Sequence, residues 1–190
     1  DSRAPIHNVF IAASSGGGKS FFVNGLAYNY FAANSIIRII DIGGSYRKMA
    51  NIFNGRFIDF NESSKVCINP FSSVLDIDQD GNVLSAIILQ MIYSATDLIP
   101  VDHAESSAKI VKMAVRMAWE REGRQASVDT VYAILRDFSG CIDKSILKKE
   151  KEQLDQTAKG LAFNLVEFTS NGAYGRWFNG PSTLDISKDE

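Results

Sequence analysis

The sequence predicts an α/β fold: a parallel sheet with crossover helices, carrying an additional all-α lobe. Three observations lead there. Asn8 to Ala33 reads as a short apolar strand, a Gly-rich turn and a helix, in that order. Ile36 to Ile42 (I-I-R-I-I-D-I) is a nearly continuous β-branched run of the kind buried on both faces of a parallel sheet. From about Val83 to Ser170 the periodicity is helical, with no convincing strand. The chain has 190 residues, enough for one domain with a core or for one plus a small insertion.

The first element is Val9 to Ala13, an apolar run of strand type. Ala13 to Ser20 (A-S-S-G-G-G-K-S) then fits the phosphate-binding loop pattern, with Ala13 in place of the usual first Gly. Gly16, Gly17 and Gly18 lack a Cβ, so the backbone can adopt left-handed angles and bring its N–H groups against a phosphate. The positive end of the following helix adds to that attraction. The expected nucleotide contacts are Ser14, Ser15, Gly16, Gly17, Gly18, Lys19, Ser20 and Phe21. Lys19 is the candidate catalytic residue, reaching the β- and γ-phosphates, and the Ser20 hydroxyl is the candidate Mg²⁺ ligand. ATP and Mg²⁺ are the cofactors this chemistry calls for.

The helix after the loop carries Phe22, Leu26 and Tyr30 on one stripe, with Val23, Ala27 and Phe31 beside it, a breadth that suggests burial against a sheet. Gly43-Gly44 closes the strand at 36–42, and Ser45 to Phe53 reads as a second short helix. Asn54-Gly55 is a turn, Arg56 to Phe60 a third strand and Val66 to Asn69 a short fourth. The alternation of strand and helix is what places these elements in one parallel sheet. Pro70-Phe71 opens the helical regime, with a first helix over Val83 to Ala95 and a second capped by Asp102 and Glu105. The second helix turns Val111, Ala114, Val115, Ala118 and Trp119 inward, and Met113, Met117 and Trp119 read as core. Ser127 caps a third helix with the stripe Val128, Val131, Leu135 and Phe138. A fourth follows on Leu147, Leu154, Ala158, Leu161, Leu165 and Phe168. Gly172 to Gly180 returns to turns and aromatics. The resulting organisation is an N-terminal part of a P-loop core over 1–72, a helical lobe over 73–170 and a return segment over 171–190.

Composition is ordinary for a globular domain, with 45% hydrophobic and 22% charged residues. A net charge of −2 gives no global signal for nucleic acid. Cys67, Cys141, His7 and His103 have no zinc-ligand spacing, and the two cysteines read as reduced thiols of a cytosolic protein. Asp76 to Gly81 opens like an EF-hand loop, but Ile87 stands where the bidentate Glu belongs, so it reads as an acidic turn feeding a helix. Asn61-Glu62-Ser63 matches a glycosylation acceptor without a secretory context, and the S-x-x-K strings at Ser45 and Ser145 lack any hydrolase context. No signal-peptide pattern opens the sequence, and Val83 to Ala95 is too short to span a bilayer. Because Asp1 is not an initiator Met, the chain is expected to come from a longer protein.

Asp41 has two readings. It ends the β-branched run, where an Asp could sit near the nucleotide and its metal, or it could simply cap the next turn.

Four segments together resemble a known family. Ser14 to Asn24 (S-S-G-G-G-K-S-F-F-V-N), Ile39 to Lys48 (I-I-D-I-G-G-S-Y-R-K), Ile68 to Phe71 (I-N-P-F) and Gly172 to Gly180 (G-A-Y-G-R-W-F-N-G) are similar to the TraC-type ATPases of conjugative type IV secretion systems. The order agrees too, with a helical lobe between the third and fourth segments, so the resemblance covers nearly the whole chain. It implies a RecA-like fold of the HerA/FtsK type, ATP hydrolysis by a cytoplasmic enzyme peripheral to the bacterial inner membrane, and a homo-hexamer. It also implies work alongside other secretion-system subunits in assembling the conjugative pilus and channel. In that family the metal-binding carboxylates are an Asp-Glu pair on a later strand, not the Asp41 position. Here no four apolar residues precede an Asp-Glu pair; Asp189-Glu190 follows Ser187-Lys188. The ATPase domain is therefore expected to be incomplete, to bind nucleotide weakly without turnover, and to self-associate through an uncovered sheet edge.

Arg176 lies in the aromatic turn, where it could reach a neighbouring subunit or stack on Trp177 or Phe178. The alternatives to an assembly motor are a DNA-translocating coupling protein, a nucleotide-binding regulatory module that never hydrolyses, and a small-molecule kinase. A coupling protein calls for a basic DNA path that the charge does not support, and a kinase for an acceptor-site motif that the chain lacks.

Overall fold

The computed structural model describes residues 8–94, 104–141 and 148–184. The chain divides into two compact units, one ending at Asp59 and the other beginning at Phe60. Seven α-helices are found among the described residues: α1 (Lys19–Ala32), α2 (Arg47–Ile52), α3 (Ile77–Ser94), α4 (Ala104–Glu122), α5 (Val128–Arg136), α6 (Phe138–Cys141) and α7 (Lys148–Leu165).

The expected α/β sheet is not there. Among the described residues no segment is a β-strand, so the RecA-like parallel-sheet core is corrected to an all-helical architecture. Residues 9–13, 36–42 and 56–60 are irregular, and most of their apolar side chains lie open to solvent, with Ile11, Ile37 and Phe57 half-buried: Phe10 is 92% exposed and Ile40 is 99% exposed. The physical reason is that a β-branched run supplies strand propensity but not a partner. A strand persists only where its N–H and C=O groups find a ladder. The fourth expected strand, 66–69, spends its bonds on a turn instead. Cys67 N–H donates to Thr183 Oγ1, Thr183 N–H donates to Cys67 O, and Ile68 N–H donates to Trp177 O. With no sheet there is no sheet edge among these residues from which self-association could start.

In the first unit, α1 and α2 are closed in the same way at their C-terminal ends. Asn34 and Asn54 both adopt left-handed φ, at 59° and 55°. Each is followed by an N–H that reaches back to an orphan carbonyl, Ser35 to Tyr30 and Gly55 to Ala50, as a left-handed C-cap requires. Phe53 joins them, stacked on Phe31 with ring centroids 4.3 Å apart. Among the described residues of this unit only Ala27 is buried.

The core belongs to the second unit. Ile88 and Ile92 of α3 meet Ile110, Val111, Ala114, Val115 and Ala118 of α4, and these pack with Val128, Val131, Ile134 and Leu135 of α5 and Ala158, Leu161, Ala162 and Leu165 of α7. The helical spacing of those residues is what puts them on one face of each helix. α3 starts six residues before the expected Val83, because its acidic turn caps it: Asp80 accepts the N–H groups of Leu75 and Asp76, and Asp76 accepts that of Asp78. Ser127 precedes α5 in extended conformation, its N–H bonded to Thr130 Oγ1. Asp155 of α7 accepts Ser139 N–H at 3.0 Å and pairs with Lys159 at 2.7 Å, which ties α6 to α7. Met113, expected in the core, faces solvent instead, because it lies off the α4 stripe. Ala95, Asp102 of the expected capping box, Leu147, His7, His103 and the Asp189-Glu190 pair lie outside the described residues.

One comparison of variants checks this distribution of burial. Leu135→Ala should lower stability in urea by about 2–5 kcal/mol, the range for emptying a packed leucine site. Ile40→Ala should stay within about 0.5 kcal/mol, as for an exposed position. Helical circular dichroism follows both, and a core-sized loss from Ile40→Ala would contradict the exposed placement of 36–42.

Candidate nucleotide-binding site

The expected nucleotide contacts come together at the start of α1. Gly16 and Gly18 both take left-handed φ of 78°, and Gly18 is the residue from which α1 starts. Gly17 is confined differently. A Cβ there would sit 3.0 Å from Ser14 O and 3.2 Å from Ala13 Cβ, while its own N–H donates to Ser14 O at 2.9 Å. A side chain is therefore opposed by conformation at two of these glycines and by space at the third.

The first bond that closes onto the helix start runs from Phe22 N–H to Gly18 O. The N–H groups of Lys19, Ser20 and Phe21 come before it and so have no intrahelical acceptor. Gly18 provides no side-chain cap, and the first turn of α1 contains no acidic residue. Three convergent donors and the positive end of a fourteen-residue helix are thus left for an anion. Lys19 is exposed and Ser20 half-buried, so an ammonium and a hydroxyl stand beside those donors. This donor set fits a triphosphate with Mg²⁺: the backbone N–H groups and Lys19 would hold phosphate oxygens, and Ser20 Oγ would ligate the metal.

Asn24, one helical turn after Ser20, ends the first segment of the family resemblance but has no role assigned from sequence. Its Oδ1 is buried without a hydrogen-bond partner. The i, i+4 spacing from Ser20 was the available signal, but an Asn inside an apolar helix carries no chemistry by itself.

Asp41 is a turn cap. Its Oδ1 accepts the N–H of Gly43 at 3.0 Å and its Oδ2 that of Tyr46 at 3.1 Å, so both carboxylate oxygens are engaged where the chain enters α2. Arg176 lies in the second unit. Its guanidinium carbon is 4.8 Å from the Trp177 ring centre, and its NH1 donates to Glu62 O at 2.8 Å. That is the stacked arrangement, one of the two anticipated for it.

The Tyr46 N–H, followed by that of Gly43, holds the Asp41 carboxyl below its ordinary value of 3.8. The folded value lies below the unfolded one, so the turn gains its support above the unfolded value, about 3.9, and loses it as pH falls through the folded value. In an amide-detected pH titration, the Gly43 and Tyr46 resonances should therefore move together with a midpoint below 3.8. Asp41→Ala should abolish that step, and a midpoint at or above the ordinary value would show that the carboxylate does not cap the turn.

Comparison with known proteins gives the same family as the motifs. The family model described as the TraG P-loop domain matches residues 3–190. Protein TraC of Escherichia coli (strain K12) is 24% identical over 184 residues, a match that covers 96% of this chain and 20% of that protein. The chain thus spans about a fifth of the relative's length. No solved structure matches. The left-handed glycines, the open helix start and the extent of the family match lead to one conclusion: this chain belongs to the TraG P-loop domain family.

Proposed function

We propose that this chain is the phosphate-holding part of an ATPase that powers assembly of the conjugative pilus and type IV secretion channel. The observation that carries the reading is the start of α1, where Gly18 opens the helix and Lys19 and Ser20 follow it with unclaimed N–H groups. A triphosphate gathers several negative charges within a few ångströms, so a cradle of convergent N–H dipoles beside one mobile ammonium is matched to it.

Each residue has a separable task. The N–H groups of Lys19, Ser20 and Phe21 orient the phosphates, because they project from a rigid helix and cannot rotate away. Lys19 adds charge at the terminal phosphates, where negative charge accumulates as the bond to the leaving group breaks. Ser20 would hold Mg²⁺, which when bound would supply charge neutralisation at the phosphates. Asp41 has both oxygens turned to its own backbone and is not assigned a metal-binding role. The carboxylate that would position the attacking water is not assigned to any residue described here. In the whole protein, work as a homo-hexamer beside other secretion-system subunits, at the cytoplasmic side of the inner membrane, follows from the resemblance to the TraC type. Among the described residues no helix is long and apolar enough to cross a membrane.

Titration with a fluorescent ATP analogue tests the assignment directly on the 190-residue chain. With Mg²⁺ present, Lys19→Ala should weaken binding by about tenfold or more, the scale of a lost charge-assisted contact. Ser20→Ala should weaken binding with Mg²⁺ and have little effect without it. Equal affinity of Lys19→Ala and the parent chain would refute the phosphate-holding role. Phosphate release from the full-length protein separates a hydrolysing motor from a module that only binds.

A further inference from the structure

The 3₁₀ turn Val166–Phe168 and the aromatic turn around Gly175–Trp177 enclose a groove of about 520 Å³ in the second unit. Its lining is Ser94, Glu167, Phe168, Tyr174, Trp177 and Phe178. That volume is within the ordinary range for ligand sites, about 300–1,000 Å³. The rings form a continuous wall: Phe168 is 5.2 Å from Tyr174 and 5.7 Å from Phe178 between ring centres, and Tyr174 stacks on Trp177 at 5.9 Å. Backbone anchoring fixes the wall in place. Asn179 Nδ2 donates to Phe168 O and Gly175 O, while its Oδ1 accepts Asp129 N–H. Asp129 in turn accepts both the N–H and the hydroxyl of Ser170. Little ordering is then left for a partner to impose.

Glu167 is the charged residue among those described as lining the groove. Glu167 is exposed, and among the described residues its carboxylate accepts one long hydrogen bond, from Ala173 N–H at 3.4 Å. Among the described residues it forms no ion pair. Aromatic faces are electron-rich and attract cations, and an unneutralised carboxylate beside them selects for positive charge. The same cluster already accommodates a guanidinium, since Arg176 lies over Trp177.

We propose that this groove docks a basic peptide segment of a partner protein, with an Arg or Lys side chain lying on the Phe168 and Tyr174 rings and its charge directed at Glu167. The groove is open and surface-lying, wide enough for a side chain and its flanking backbone. An extended segment suits that shape better than an enclosed small molecule. The groove shares no residue with the phosphate loop, and the proposal does not rest on the ATPase reading.

The chain contains two tryptophans, so Trp119→Phe leaves Trp177 as the only indole reporter. The probe is acetyl-Gly-Arg-Gly-amide, and its counterpart with citrulline is a neutral mimic of nearly the same shape. The Arg peptide should change Trp177 emission saturably with a midpoint of roughly 1–10 mM, as for one cation–π contact with a carboxylate beside it. Citrulline should bind about tenfold more weakly. Glu167→Gln and Tyr174→Leu should each weaken the Arg peptide by a similar factor with helical circular dichroism unchanged. Should Tyr174→Leu disturb the fold, Glu167→Gln decides alone, because Glu167 is exposed and Gln keeps its shape. Absence of a saturable change, equal midpoints for Arg and citrulline, or an unaltered midpoint in Glu167→Gln would each overturn the proposal.

Discussion

Every backbone N–H removed from water needs an acceptor, and the start of a helix is where the chain runs out of them. Much of this structure follows from how that shortage is met. α3 meets it with Asp76 and Asp80, and α5 with contacts from Thr130 and Asn179. α1 does not meet it. A left-handed glycine precedes it, no side chain folds back, and no acid lies in its first turn. The cradle for an anion is this uncapped start of α1, so the functional reading grows from a bonding deficit as much as from a motif.

The same accounting separates the two units. In the second, four helices turn complementary apolar stripes toward one another, and the bonds of each helix are closed within itself. In the first, the apolar runs at 9–13, 36–42 and 56–60 have strand composition but no ladder, and they stay largely open to solvent. The apolar faces of α1 stay open as well, Phe21 and Phe22 among them. Exposure of this kind is costly in water at about 25 cal/mol per Å² of apolar surface. The first unit is therefore the less stable of the two, and the phosphate loop is part of it.

What was legible in the sequence follows the range of the interactions involved. The loop, the start of α1 and the inward stripes of α4, α5 and α7 were readable because neighbours within one or two turns determine them. Met113 shows the limit even there, since its apolarity suggested core while its angular position put it outside. The strands were misread because strand formation depends on a distant partner, which β-branched composition cannot supply. Asp41 was ambiguous for a related reason. Its sequence position suits a ligand near a metal, and only the bonds to Gly43 and Tyr46 reveal a cap. Arg176 is legible in sequence only as a member of an aromatic turn, while its stack on Trp177 and its bond to Glu62 O needed the fold.

Amide-detected mapping of the chain with Mg²⁺ and a non-hydrolysable ATP analogue is the most direct test that the uncapped start of α1 is the nucleotide site. The largest shifts should fall on Gly16 to Phe21, with Lys19, Ser20 and Phe21 N–H moving downfield as they gain phosphate acceptors. Shifts concentrated elsewhere, with the amides at the start of α1 unmoved at saturation, would contradict the account.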